Sequence, residues 1–262
     1  MWIQRLDHQV KILTDGYQYD FSKNSPHVFD RENRERKART MVAVLRDFLD
    51  KAPETLTVLN VGGSAGAIDN YLADHFAHVT GIDIDQAAIE HAQSNFSKEN
   101  LSFQVADALN MPFPNESFDV VICSHVYEHV ADPEQMFEEI KRVLRPDGVC
   151  YFAAGNRLMW NEPHYNLPLL SVIPRPLAHL YMRLSGKGDY YHETHLWYWG
   201  LKRLTSDFQR HDYTLNLVEK AGDFHTDYML PPGSLKTRIA AALGRFAYWA
   251  FPGYVWLLKK GS

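Results

Sequence analysis

The chain has 262 residues, of which 45% are hydrophobic, and it carries a formal net charge of −5. This length suffices for one large core, so we expect one domain with insertions rather than two domains. The acidic balance argues against a nucleic-acid partner, which usually needs a basic surface. Cys123 and Cys150 each lie in an apolar run, which predicts buried, reduced thiols and excludes a disulfide framework.

The two ends of the chain bear on its location. The first twenty residues have scattered charges and no apolar run typical of a secretory signal, so we expect a cytoplasmic protein. Ile239 to Leu258 is apolar, but Arg245 and Pro252-Gly253 interrupt it, and we expect no membrane span there. Two alternatives remain for a C-terminal helix from Lys236 to Trp249. It packs against the rest of the protein, or it lies on the inner face of the membrane.

The elements predicted first along the chain alternate between helix and strand. Apolar residues recur at helical spacing or form short continuous runs, and Asp85 is a typical N-cap. The predicted elements are a helix from Arg31 to Asp50, a strand from Leu56 to Val61, a helix from Gly66 to His75, a strand from Val79 to Asp83 and a helix from Gln86 to Asn95.

The alternation continues to Ala154. A third strand runs from Leu101 to Val105, a fourth from Phe118 to Ser124, and a fifth from Val149 to Ala154. Asp132-Pro133 starts the helix between the last two strands, because aspartate is a good N-cap and proline suits the first helical position. This order predicts an α/β fold, with a doubly wound, mostly parallel sheet and helices on both faces.

The pattern changes after Ala154. Residues 155–212 are rich in aromatics and contain no clear strand, Leu215 to Ala221 looks like a strand, and Tyr254 to Lys260 looks like the last strand. We therefore predict a single domain with a helical cap over residues 1–53, a cofactor-binding core over residues 54–154, and substrate-covering insertions over residues 155–212 and 222–253.

Two stretches, VLNVGGSAG from Val58 and VTGIDID from Val79, predict a nucleoside site. Glycines let a ligand approach the backbone closely, and the start of the next helix offers unpaired N–H groups. Asp83 ends the second strand, where a carboxylate can accept hydrogen bonds from both hydroxyls of a ribose. The pattern indicates a cofactor that contains adenosine.

Asp107 and the run PFPNESFDVVICSHVYEHVADPEQMFEEIKRVLRPDG make the chain resemble class I S-adenosylmethionine-dependent methyltransferases, nearest to the ubiquinone/menaquinone-biosynthesis branch. The resemblance covers about Val58 to Ala154. It implies a Rossmann-like sheet of seven strands whose last strand is antiparallel, with Leu215 to Ala221 as its sixth strand. It also implies S-adenosyl-L-methionine as cofactor and methyl transfer as activity.

The resemblance assigns cofactor contacts by position. Asp83 with Ile84 holds the ribose, and Asp107 with the backbone of Ala108 faces the adenine. The methionine end is assigned to the first-strand turn and the fourth-strand end, which contain Asn60, Gly62, Gly63, Gly66 and Ser124. The chain departs from the family at Asn60, where an acid is usual, and at Ser64, where a glycine is usual.

Methyl transfer to a hydroxyl needs a general base, for which histidine suits neutral pH. His125 and His164 both follow carboxyl ends of strands, so they are the candidate catalytic residues. Relatives with a Glu-x-x-Glu-His pattern have an acid where this chain has His125. Since His192-Glu193-Thr194-His195 also differs from a metalloprotease motif, we predict no metal.

The expected function is methyl transfer to a small-molecule or lipid- or sugar-linked acceptor. Oxygen is the expected acceptor atom, with carbon and nitrogen left open. Two rivals remain at this stage. A nicotinamide-dependent oxidoreductase would carry Gly-x-Gly-x-x-Gly, which GGSAG matches poorly. A non-catalytic protein that retains the cofactor fold is the other rival, because of Asn60 and Ser64. The sequence leaves the oligomeric state open.

Overall fold

The computed structural model describes residues 17–261. Its centre is a seven-stranded sheet in the order β3-β2-β1-β4-β5-β7-β6, in which β7 runs antiparallel to both of its neighbours. This arrangement confirms the predicted fold class. The strands are β1 (Thr57–Val61), β2 (His78–Asp83), β3 (Leu101–Val105), β4 (Phe118–Ser124), β5 (Leu144–Gly155), β6 (Phe208–Asp212) and β7 (Gly253–Lys260).

Helices cover both faces of the sheet. They are α1 (Arg31–Phe48), α2 (Ala67–Leu72), α3 (Gln86–Asn95), α4 (Pro133–Val143), α5 (Arg175–Leu184), α6 (Tyr198–Leu204), α7 (Thr214–Glu219) and α8 (Leu235–Phe246). Shorter elements are the single turn Phe21–Asn24, the 3-10 segments Tyr17–Asp20, Pro26–Phe29, Pro53–Thr55 and Tyr248–Ala250, and a hairpin of Asn161–Glu162 with Leu167–Pro168.

The predicted helix starts at Asp85 and Asp132 are confirmed. The Asp85 carboxylate accepts a hydrogen bond from the backbone N–H of Ala88 at 3.2 Å, and Asp132 accepts one from Gln135 at 3.0 Å. Each cap satisfies an N–H group that the helix itself leaves unpaired. These caps fix where α3 and α4 begin after their strands.

The core lies in two layers, one on each side of the sheet. One layer packs α1 and α2 against the sheet through Leu45 and Leu72. The other packs α4 and α6 against it through Ile140 and Leu201, together with Trp256 of β7. The central strands are buried on both faces, which explains why they read as continuous apolar runs.

The predicted strand from Leu215 to Ala221 is wrong, because these residues lie mostly in α7. Its buried residues are Thr214, Leu217 and Val218, which are spaced as on one face of a helix. The segment is so short that its sequence also resembles the alternation of a strand. The sixth strand is instead β6, within the stretch predicted to contain none. Four of its five residues are polar or charged, since β6 lies at the edge of the sheet and, within residues 17–261, pairs only with β7.

Two further expectations concern cysteines and membranes. Cys123 and Cys150 are free and buried, as predicted. Within residues 17–261, none of the helices combines the length and the apolar character needed to cross a bilayer.

Candidate cofactor and catalytic site

The glycine-rich turn after β1 has a shape that side chains would obstruct. Gly62 and Gly66 have φ angles of 69° and 80°, in the left-handed region. A Cβ on Gly62 would lie 2.7 Å from Val126, and a Cβ on Gly66 would lie 2.6 Å from the Cβ of Ala92. Ser64 has a φ of 53°, so it occupies the family's glycine position in a conformation that glycine adopts freely. The turn therefore keeps its form despite the serine.

Asp83 lies beside this turn, at the carboxyl end of β2. Its Oδ2 accepts a hydrogen bond from the N–H of Ser64 at 2.8 Å, and its Oδ1 accepts one from Asp85 at 2.9 Å. Burial raises the pKa of Asp83 to about 6, although both hydrogen bonds act in the opposite direction. Each carboxylate oxygen has a second lone pair, so both can still accept a bond from a ribose hydroxyl.

The remaining predicted cofactor contacts lie along the same edge of the sheet. Asp107 follows β3, and its Oδ1 accepts a hydrogen bond from the N–H of Leu109 at 2.9 Å, which holds the loop around Ala108. Ile84 and Ser124 are partly buried next to the ends of β2 and β4. The strand ends thus bring all these residues to one edge, as expected for ligand sites in open α/β sheets.

Asn60 at the end of β1 is paired with an acid that the sequence analysis did not select. Its Nδ2 donates to Oδ1 of Asp69 in α2 at 3.0 Å. Asp69 is fully buried, and its Oδ2 has no hydrogen-bond partner among the described residues. Burial raises the pKa of Asp69 to about 7. Its position one helical turn after Gly66 was the available sequence signal.

His125 is the first residue after β4 and has a φ of 57°. A non-glycine residue in this region is strained, and such strain often occurs at functional positions. The N–H of His125 donates to the carbonyl of Ala153 at 2.9 Å, which ties the strained residue to β5. The side chain is 48% exposed, and its Nδ1 lies 3.4 Å from Oε1 of the buried Glu128. The ring is thus accessible and flanked by a carboxylate.

His164 has a different environment. Its side chain is only 12% exposed, and its Nδ1 lies 2.6 Å from Oε1 of Glu162 in the hairpin. The same Oε1 lies 3.3 Å from Nε2 of His195, and Oε2 accepts a bond from the N–H of Tyr165 at 3.0 Å. Glu162 therefore links three parts of the insertion.

The pKa values of Glu128 and His129 are both lowered, but for different reasons. Burial alone would raise the pKa of Glu128, but His125, His129 and His195 more than offset it and hold that pKa well below its usual value. Burial lowers the pKa of His129 to about 3. The imidazole of His129 is consequently neutral near pH 7.

The segment before α1 covers one side of the site. The N–H of Ser22 donates to Oδ2 of the buried Asp85 at 2.7 Å. The ring of Phe21 lies 5.0 Å from that of His129 and 6.3 Å from that of His164. The part of the predicted cap that precedes Tyr17 lies outside the described residues.

The fold brings His125 and His164 to the same region as the strand-end acids. Sequence reasoning missed Asp69 and Glu162, and it assigned no role to Glu128 or Glu193. Glu162 lies in an irregular insertion, so no periodic pattern marked it. The only signal was a run of histidines and acids in NEPHYNLP and HETH.

Comparisons with known proteins identify a methyltransferase domain in this chain. Residues 59–152 match the family model described as a methyltransferase domain, which is about a third of the chain. The ubiquinone biosynthesis O-methyltransferase of Coxiella burnetii is 31% identical over 102 residues, and that of Pseudomonas entomophila is 35% identical over 119 residues. These alignments cover 38% and 44% of this chain, and 44% and 50% of the relatives. The chain thus spans about half the length of the curated relatives it matches.

A solved structure extends the likeness to the whole chain. The plantazolicin methyltransferase, in complex with a monoazolic desmethyl analogue and SAH, covers all of both chains with a TM-score of 0.61 and 20% identity. At this identity the likeness shows the fold. The family match over residues 59–152 confirms the methyltransferase resemblance predicted from the sequence.

Proposed function

We propose that this chain transfers a methyl group from S-adenosylmethionine to an oxygen atom of a small-molecule or lipid- or sugar-linked acceptor. One observation carries the proposal. The glycine turn follows β1, Asp83 ends β2, and Asp107 and His125 follow β3 and β4; these four strands are neighbours in the sheet. An adenosine-containing ligand laid along this edge meets each of them.

The residues present fit such a cofactor. Gly62 and Gly63 place bare backbone next to the end of β1, and Asp83 keeps a lone pair on each oxygen for the ribose. Asp107 and the backbone of Ala108 would hold the adenine. Ser124, with the turn, would contact the methionine portion. The cofactor supplies an activated methyl group, so the protein's part is to position the acceptor and exclude water.

His125 is the proposed general base. Its half-exposed ring stands at the strand end nearest the predicted methionine portion, with Glu128 behind it. A carboxylate next to a histidine orients the ring, as in other base–acid pairs. His125 would accept the proton of the acceptor hydroxyl as the oxygen is methylated. His164 is held by Glu162 and is less accessible, so we assign it a different role below.

Thermal unfolding with separate additions of S-adenosylmethionine, S-adenosylhomocysteine and NADH tests the cofactor. A ligand at 100 times its dissociation constant adds about 2.7 kcal/mol, which raises Tm by several degrees. We expect a rise with the first two compounds only. A rise with NADH alone would favour the oxidoreductase. Cofactor binding without turnover across a broad panel of hydroxylated acceptors would favour the non-catalytic protein.

We also propose that α8 rests on a membrane surface, where a lipid-linked acceptor would be found. Leu235, Ile239 and Phe246 are exposed large apolar side chains on this helix, and Phe246 is 87% exposed. Lys236 and Arg238 lie on the same helix and would face anionic headgroups. Amphipathic helices bind such membranes through this combination of apolar area and positive charge.

Sedimentation with vesicles tests this contact. We expect binding to vesicles with anionic lipid, weaker binding to neutral vesicles, and loss of binding in the double variant Ile239→Ser, Phe246→Ser. Val105→Ser changes an exposed apolar residue on the β3 edge and serves as the matched control. Equal sedimentation of the control and the double variant would contradict the proposal.

A further inference from the structure

The insertion after β5 folds back onto the loop after β4 and buries carboxylates beside imidazoles. Glu128 and His129 belong to that loop, whereas His164 belongs to the segment that contains the hairpin. One ligand-type atom from each of these three residues lies within 4.8 Å of the other two. The rings of His129 and His164 are perpendicular, with centroids 4.9 Å apart. Three potential ligands from two distant segments thus surround one point.

Glu128 is a buried carboxylate whose interactions within the described residues do not satisfy it. Its side chain has no solvent exposure, and neither of its oxygens accepts a hydrogen bond from the described residues. A buried carboxylate without hydrogen-bond donors carries a large desolvation penalty. Its contact with His125 is at 3.4 Å, longer than a charge-assisted hydrogen bond. A bound cation would satisfy both the charge and the lone pairs of Glu128.

We propose that Glu128, His129 and His164 bind a divalent transition-metal ion. Two imidazoles and one carboxylate form a ligand set typical of Zn²⁺ and Fe²⁺, and also accepted by Mn²⁺. Mg²⁺ prefers oxygen ligands and is not expected to compete. The sequence alone predicts no metal, because His125 stands where the Glu-x-x-Glu-His pattern has its first acid. His164 lies far along the chain from Glu128 and His129, so no local motif includes it.

Glu162 is the positioning residue of this site. Because its Oε1 lies 2.6 Å from Nδ1 of His164, that nitrogen is engaged, and Nε2 remains as the metal-binding atom. Histidine ligands usually donate their other ring N–H to a carboxylate, which fixes the tautomer and the ring orientation. The N–H of Tyr165 holds the second oxygen of Glu162 at 3.0 Å. Glu162 thus fixes the orientation of the His164 ring for metal binding.

The site adjoins the proposed base, since Glu128 contacts both the metal position and His125. Three protein ligands leave coordination positions open for water or for a substrate oxygen. If the proposed function holds, the ion would bind the acceptor through its hydroxyl or a neighbouring oxygen. Metal binding itself rests on the side chains alone and is measured without cofactor or acceptor.

Metal content is the direct test. The purified full-length chain is stripped with chelator, dialysed separately against Zn²⁺, Mn²⁺, Fe²⁺ under argon, or Mg²⁺, desalted and analysed by mass spectrometry for metals. We expect about one transition-metal ion per chain and no retained Mg²⁺. The protein loaded with Co²⁺ should show the visible absorption bands of a Co²⁺ ion bound by a small number of nitrogen and oxygen ligands. Less than roughly a tenth of an equivalent with every transition metal would overturn the proposal.

Variants then identify the ligands. Glu128→Gln and His164→Ala should abolish retention, whereas Glu162→Gln should weaken affinity roughly tenfold to a hundredfold while still binding. The matched controls are His78→Ala, at the amino end of β2, and Glu138→Gln, exposed on α4. Both should bind as the wild type does. Stoichiometric, wild-type affinity in Glu128→Gln or His164→Ala would contradict the assignment.

A readout on the wild type avoids dependence on variants that fail to fold. Chelator should lower its Tm, and Zn²⁺ but not Mg²⁺ should restore it. S-adenosylhomocysteine binding to the stripped protein is measured in parallel. Retained cofactor binding without metal binding refutes only the metal site, whereas metal binding without cofactor binding refutes only the proposed function.

Discussion

The amide of Asn60 donates a hydrogen bond to the carboxylate of Asp69 at 3.0 Å, directly beneath the glycine-rich turn. A Cβ on Gly63 would lie 3.0 Å from Oδ2 of Asp69, so the acid supports the turn from below. The acid that the family usually carries at the end of β1 is absent, but a carboxylate stands next to its place. The departure at Asn60 therefore leaves the turn supported by a polar pair.

Asp69→Asn should stabilise the protein at high pH. Burial raises the folded-state pKa of Asp69 to about 7, above its ordinary value of 3.8. The associated stability is present below the unfolded-state pKa and is lost as pH rises through the folded-state value. The asparagine keeps the oxygen that Asn60 needs and removes the charge. We expect the Tm advantage of the variant to grow by several degrees between pH 5 and pH 8. A constant difference between the two Tm curves would show that Asp69 does not titrate in this range.

Asp83→Ala should weaken binding of S-adenosylhomocysteine more than about tenfold, because it removes the acceptors for two ribose hydroxyls. Titration calorimetry measures the change. Asp147→Ala alters an exposed aspartate near the start of β5 and should bind as the wild type does. An unchanged affinity in Asp83→Ala would refute the assignment of the ribose site.

Cofactor binding should depend on pH through the same carboxylate. Burial raises the pKa of Asp83 to about 6, so below that pH one oxygen carries a proton and loses acceptor capacity. We expect the dissociation constant for S-adenosylhomocysteine to increase roughly tenfold from pH 7.5 to pH 5. Asp83→Asn should bind weakly at both pH values, without this dependence. If wild type and variant give parallel profiles, another group is responsible.

His125→Ala should lower turnover by about 10²- to 10⁴-fold, the usual contribution of a general base, while affinity for S-adenosylhomocysteine stays near that of the wild type. Single-turnover kinetics separate the two effects. His78→Ala, at the opposite end of the sheet, is the matched control and should retain full activity. Wild-type turnover in His125→Ala would exclude it as the base.

Sequence reasoning was most reliable where a local physical signal existed. The caps at Asp85 and Asp132 and the strand from Phe118 to Ser124 were predicted correctly, since capping chemistry and continuous apolar runs act within a few residues. It was wrong for Leu215 to Ala221. Seven residues are too few to show either the helical or the strand periodicity clearly. The strand that pairs with β7 is instead β6, which is polar because it lies at the edge of the sheet.

From Arg31 to Ala154 the sequence by itself determined the order of strands and helices, and it placed the glycine turn, Asp83 and Asp107 at strand ends. Parallel strands bring their carboxyl ends to one edge, so these residues had to meet. The tertiary structure alone decided the pairing of Asn60 with Asp69 and the meeting of Glu128, His129, His164 and Glu162. These contacts join segments that are distant along the chain, and one of the segments is irregular. No local periodicity or residue spacing in the sequence indicates where an irregular segment packs against the rest of the fold.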